Sequence, residues 1–105
     1  MNSCQKGKRG ERLWRDQLIN NGYTDARRGQ QFSGSPESPD VICESLKQFH
    51  FEVKNTERLN LSLALSQSIG DSGTDQIALV CSKRNGEDWI VSMRASDWFQ
   101  MIKKA

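Results

Sequence analysis

Apolar residues along this chain follow two rhythms, and each change of rhythm marks a new element. From 6 to 20 the spacing is helical: Trp14 and Leu18 lie one turn apart, with Glu11 on the same side. An acid on an apolar stripe is unusual, because carboxylates are rarely buried without a partner. The plain alternative is a first-turn acid favoured by the helix dipole. Asn21-Gly22 supplies a helix stop, the glycine tolerating the left-handed backbone. Residues 23–28 then read as a first strand, and 29–38, rich in Gly, Ser, Gln and Pro, as a loop.

The rhythm shortens at 40–43 and 48–54, two strands joined by a polar turn at 44–47. Pro39 is tolerated at a strand start, where it need not donate a ladder hydrogen bond. Glu52 and Lys54 flank Val53, so alternation turns both charged side chains to one face, and a hairpin brings Asp40 beside them. Asn60 is a plausible N-cap for a helix running to about Asp71, with Leu61, Leu65 and Ile69 as its buried stripe and Gly70 and Gly73 at its end. Gln67 falls off that stripe, beside Leu63, Ala64 and Asp71, where a solvated glutamine is the simplest reading.

A continuous apolar strand follows at 76–82, then Asn85-Gly86, a type I′ hairpin signal, and a return strand at 88–93. Ser96 caps a last helix that offers Trp98, Phe99 and Ile102 as packing surface. The predicted order is α-β-β-β-α-β-β-α, an α/β chain forming one domain over 1–105.

Composition narrows the picture. The chain is polar, 35% hydrophobic and 27% charged, yet three Trp and four Phe provide bulky core material. No long apolar run is present and the first ten residues lack an apolar h-region, so neither a membrane span nor a signal peptide is expected. These features predict a cytoplasmic protein. Cys4, Cys43 and Cys81 have no metal-binding spacing, and the two in strands read as small buried hydrophobes. His50, the only histidine, reads as a packing or sheet-surface residue. Net charge is only +2, but between Lys6 and Arg28 seven Lys/Arg face three acids, which concentrates positive charge near the predicted first helix.

Gathered carboxylates beside a lysine suit phosphodiester hydrolysis. Mg²⁺ accepts a few carboxylates and keeps several waters, so two or three acids suffice as protein ligands. Asp40 and Glu52 are the candidate ligands, with the Val53 backbone carbonyl as a third. Lys54 would act electrostatically or position water, and Glu11 would complete the site from the first helix. Ser33, Ser35 and their loop neighbours could offer donors to phosphates, although the same composition suits any surface loop.

Pro39-Asp40 followed by Glu52-Val53-Lys54 resembles the PD-(D/E)xK nuclease motif. Together with K-G-K-R-G-E-R at 6–12, Arg27 and S-G-S at 33–35, the chain resembles archaeal Holliday-junction resolvases, small phage resolvases and VRR-NUC domains, over essentially its whole length. The resemblance implies a restriction-endonuclease-like core: a mixed five-stranded sheet flanked by helices, acting as a homodimer with one Mg²⁺ site per subunit, Mn²⁺ substituting. It implies catalytic roles for Glu11, Asp40, Glu52 and Lys54, with Gln67 near the site. It implies DNA contacts by Arg9, Arg12 and Arg27, which Lys6 and Arg28 extend, and by a loop serine at Ser33 or Ser35. The expected partner is branched DNA. Two other readings stand beside it: a repair or restriction-type nuclease with a different DNA preference, and a DNA-binding module whose carboxylates form structural ion pairs.

Overall fold

A computed structural model describes residues 3–29 and 40–104, with side chains from residue 5 onward. The order is α1 (Ser3–Asn20), β1 (Arg27–Arg28), β2 (Val41–Ile42), a short 3-10 turn (Glu44–Leu46), β3 (Phe49–Asn55), α2 (Leu61–Asp71), β4 (Ile77–Lys83), β5 (Ile90–Ser92) and α3 (Ala95–Lys104). The five strands lie side by side in sequence order. The β3–β4 pair is parallel and the other three pairs are antiparallel, so the sheet is mixed. A parallel pair needs a crossover, and α2 provides it.

Alternation along β3 divides its side chains between two layers. Phe51 and Val53 join Trp14 and Leu18 of α1, Leu79 and Cys81 of β4, and Val41 in the main core. On the opposite face, α2 lies close to β4 through small residues. Ala64 and Ser68 are buried, and the Ser68 hydroxyl donates to the Leu79 carbonyl at 2.9 Å. The buried line of α2 is therefore shifted from the predicted Leu61, Leu65 and Ile69: Leu61 is 42% exposed, while Leu65 and Ile69 are half-buried. Close approach selects small side chains for the centre of the contact and leaves leucines at its margin.

The helix boundaries explain other differences. Asn60 caps α2 as expected, its side chain accepting from Leu63 N–H. After α1, Tyr23 N–H donates to the Leu18 carbonyl and Gly22 N–H to that of Ile19, a Schellman closure with Gly22 at φ 101°. The chain then turns instead of entering the strand expected at 23–28. Ala26 N–H donates back to Tyr23, and pairing begins only at Arg27. Asp25 is committed to this corner: its carboxylate accepts from Ser45 N–H and hydroxyl and from the Cys43 thiol, and these bonds lower its pKa. Cys43 lies just past β2, not within it; both it and Cys81 are buried free thiols.

Three expectations near the C-terminal end change. Gly86 takes φ 77° in a turn closed by Glu87 N–H to the Arg84 carbonyl, but that turn sits inside a connection spanning 84–89, longer than a two-residue hairpin. Ser96 lies inside α3 and does not cap it; an Arg94–Asp97 pair at 3.0 Å braces the helix start. Trp98, Phe99 and Ile102, expected to pack, are about half exposed. No helix among the described residues is long and apolar enough to cross a membrane.

Candidate active site

Asp40 enters β2 where its backbone carbonyl accepts from Gly29 N–H, and its side chain accepts from Val53 N–H at 2.8 Å. Val41 pairs with Phe51 in the antiparallel β2–β3 ladder, so Asp40 stands opposite Glu52 one step on, and paired residues point to the same face. Burial pushes the Asp40 carboxyl up from 3.8 to about 7, and the Glu52 charge is the next cause. The Val53 hydrogen bond opposes this rise, Glu11 adds to it, and Lys54 offsets a little. The carboxylates thus stand close enough to repel, and cationic compensation at Asp40 is incomplete.

Each neighbouring acid has a basic partner. Lys54 Nζ lies 3.5 Å from Glu52 Oε2, and Arg28 Nε donates to Glu11 Oε1 at 3.2 Å. Arg28 is therefore tied to Glu11, where the sequence had suggested DNA. Glu11 is well inside α1, which begins at Ser3, so the helix dipole does not explain it. It flanks the buried line Gly10, Trp14, Leu18.

Gly10 sets the height of that helix. A Cβ on Gly10 would lie 2.6 Å from Asn55 Cβ, and Asn55 also donates its amide to the Lys6 carbonyl at 3.2 Å. The absent side chain lets α1 touch the end of β3 next to Lys54, and this brings Glu11 toward Asp40. Gly10→Ala is expected to destabilise the protein by about 1–3 kcal/mol through overpacking. Gly7 is the control: a Cβ there would meet nothing within 4 Å. Gly7→Ala should gain up to about 1 kcal/mol from helix propensity. Urea midpoints of the two variants should move in opposite directions.

Of the other sequence-predicted residues, Arg9, Arg12 and Arg27 are exposed and Lys6 is half-buried. Gln67 is exposed, one turn before Asp71 on the same side of α2. Ser33 and Ser35 lie outside the described residues. The structure also brings in two residues for which no chemical role was expected. His50 is 3% exposed on the Glu52 face of β3, and Asp71 ends α2. Among the described residues, His50, Glu52 and Asp71 are the trio whose ligand atoms lie within 4.8 Å of one another. The alternation His50, Glu52, Lys54 could have flagged the histidine; the crossover that delivers Asp71 has no local signal.

Near this centre the Cys81 thiol is buried, and burial raises its pKa, with the Asp40 and Glu52 charges adding to the effect. It is an inert thiol by that criterion. A broad cleft lies elsewhere, between α3 and the start of β3 and β4, lined among others by Gln48, Phe49, Gln76, Arg94 and Met101. The acid centre is thus not set in that cleft. The chain matches no protein-family model, and no curated protein and no solved structure matches it.

Proposed function

We propose that this chain is a Mg²⁺-dependent, structure-selective DNA endonuclease with a restriction-endonuclease-like core, acting on branched DNA such as a four-way junction. The observation that carries this reading is the crowding at Asp40. Its carboxyl is raised to about 7 while Glu52 and Glu11 stand near it. Structural ion pairing accounts for Glu11 and Glu52, which have Arg28 and Lys54. It does not account for Asp40, which makes no salt bridge among the described residues and whose burial the Lys54 charge offsets only a little. A hard divalent cation would satisfy that carboxylate, so the donor set fits Mg²⁺.

Asp40, Glu52 and the Val53 carbonyl would hold the ion, with Mn²⁺ able to substitute. When bound, Mg²⁺ supplies charge neutralisation and polarisation of the phosphate. Val53 N–H fixes the orientation of the Asp40 side chain. Lys54 contributes a point charge to the developing anionic oxygens and orients the attacking water. Glu11 acts from α1, and Gln67, exposed one turn before Asp71 on α2, would lend a polar group from that side. The exposed Arg9, Arg12 and Arg27 supply sequence-independent phosphate contacts. Exposed apolar residues on edge strand β5 and on α3 (Ile90, Val91, Trp98, Phe99, Ile102) support assembly into a dimer, which would present two equivalent sites to a branched substrate. The proposed compartment is the cytoplasm.

The direct test offers a labelled four-way junction, a Y-fork and a linear duplex in Mg²⁺. Preferential nicking of the junction is expected, while stronger cleavage of linear duplex would favour a repair or restriction-type enzyme. Absence of cleavage on all three, in both Mg²⁺ and Mn²⁺, would sink the nuclease reading. Lys54→Ala should lower cleavage about 100-fold or more, the scale for losing one preorganised electrostatic group, while gel-shift affinity falls far less.

A further inference from the structure

We infer that His50, Glu52 and Asp71 form a second cation site, built for a borderline transition-metal dication such as Zn²⁺. His50 is 3% exposed, and its Nε2 has no hydrogen-bond partner. A buried polar atom left in that state costs about 1–3 kcal/mol, so the position calls for a ligand. Nε2 points at Glu52, with Oε1 4.0 Å away. That separation is too long for a hydrogen bond. A tetrahedral ion bonded to nitrogen and oxygen at about 2.0–2.2 Å holds the two about 3.4 Å apart, so an inward shift of about half an ångström lets one ion bridge them.

Asp71 completes the trio within 4.8 Å. It is the last residue of α2, and the last turn of that helix has no basic residue. The helix carbonyl end carries partial negative charge, which disfavours a carboxylate there unless a cation is near. Two carboxylates and a helix C-terminus therefore converge on an unpartnered imidazole nitrogen. An imidazole ligand selects for zinc-like ions over Mg²⁺, which prefers oxygen. Three protein ligands leave coordination positions open, as in zinc sites that admit water or substrate.

The site meets the proposed nuclease centre at Glu52. Its Oε1 faces His50, while Oε2 faces Lys54 at 3.5 Å. The zinc inference rests on this trio and not on DNA cleavage, so the two readings can fail separately.

The test follows the imidazole itself. His50 is the only histidine in the chain, so one set of ¹⁵N-detected imidazole resonances reports the site in the intact chain. Equimolar Zn²⁺ should shift the Nε2 resonance strongly, as direct coordination to nitrogen does, whereas millimolar Mg²⁺, held through oxygen at Asp40 and Glu52, should shift it far less. Asp71→Asn, which keeps the side-chain shape, should weaken Zn²⁺ at least about tenfold, since even outer-shell partners carry that much. Asp40→Asn should retain the shift. A silent imidazole on Zn²⁺ addition overturns the inference, and so does full Zn²⁺ affinity in Asp71→Asn. Loss of binding in Asp40→Asn would also overturn it, by assigning the ion to the neighbouring centre. Cleavage in Mg²⁺ alone tests the nuclease reading independently.

Discussion

Asp40→Asn is expected to remove cleavage and, at the same time, to stabilise the protein at pH 8. The loss should be about 100-fold or more, because a preorganised charged group is deleted from the proposed reacting centre. The gain follows from the same carboxyl. Its pKa rises from 3.8 to about 7, a displacement on the order of 4 kcal/mol at full ionisation. Asparagine carries no charge to bury, and its side-chain oxygen can still accept from Val53 N–H. Part of that cost should return as about 1–3 kcal/mol of added stability. Structural mutations that abolish activity by unfolding move stability the other way, so paired melting and cleavage curves separate the two causes. Junction affinity should hold or tighten, since a charge that repels phosphate has gone.

The pH dependence has a definite sign. Unfolded, the Asp40 carboxyl releases its proton near 3.8; folded, it keeps that proton up to about 7. Between those values the folded protein binds more protons than the unfolded chain, so its stability falls as pH rises. The contribution is full below 3.8 and lost on passing through about 7. Urea titrations of the wild type should show this slope, and those of Asp40→Asn should be flatter across the same window. Mg²⁺ should raise the wild-type midpoint at pH 8 by binding the folded state.

The order of elements was legible because it depends on local pattern. Trp14 and Leu18 at helical spacing, the I-A-L-V-C run and the Asn60 cap each announced their element without knowledge of the rest. The juxtaposition of Asp40, Glu52 and Lys54 was also legible, since a hairpin and strand alternation fix it. What escaped were features set by packing between distant segments. Ala64 and Ser68 are buried because α2 lies close on β4, and no periodicity within α2 distinguishes that line from the larger leucines beside it. Residues 23–26 turn because Asp25 anchors Ser45, a contact made by the 3-10 turn. The Arg28–Glu11 pair and the Asp71 position likewise need the sheet to be assembled first.

The largest effect on stability is expected at Trp14, and the size of the substitution should decide its course. The indole lies at the meeting point of three elements, with ring centroids 5.9 Å from Phe51 on β3 and 5.1 Å from Trp89 on the β4–β5 connection. Trp14→Ala removes both contacts and leaves a cavity under α1, a loss of about 3–5 kcal/mol. A domain with about 5–15 kcal/mol in total would be brought close to unfolding by it. Trp14→Phe should behave quite differently. The indole Nε1 is buried without a hydrogen-bond partner, so the ring nitrogen contributes a desolvation cost of about 1–3 kcal/mol that phenylalanine removes. Phenylalanine keeps the aromatic contact with Phe51 while giving up part of the volume, and the two changes oppose. Chemical denaturation should therefore show a small net loss for Trp14→Phe beside a near-collapse for Trp14→Ala. A loss for Trp14→Phe approaching that of Trp14→Ala would mean that the indole nitrogen contributes favourably and that its volume cannot be spared. Because α1 also carries Gly10 and Glu11, cleavage should track this ranking: Trp14→Phe stays active, whereas Trp14→Ala loses activity together with the helix that presents Glu11.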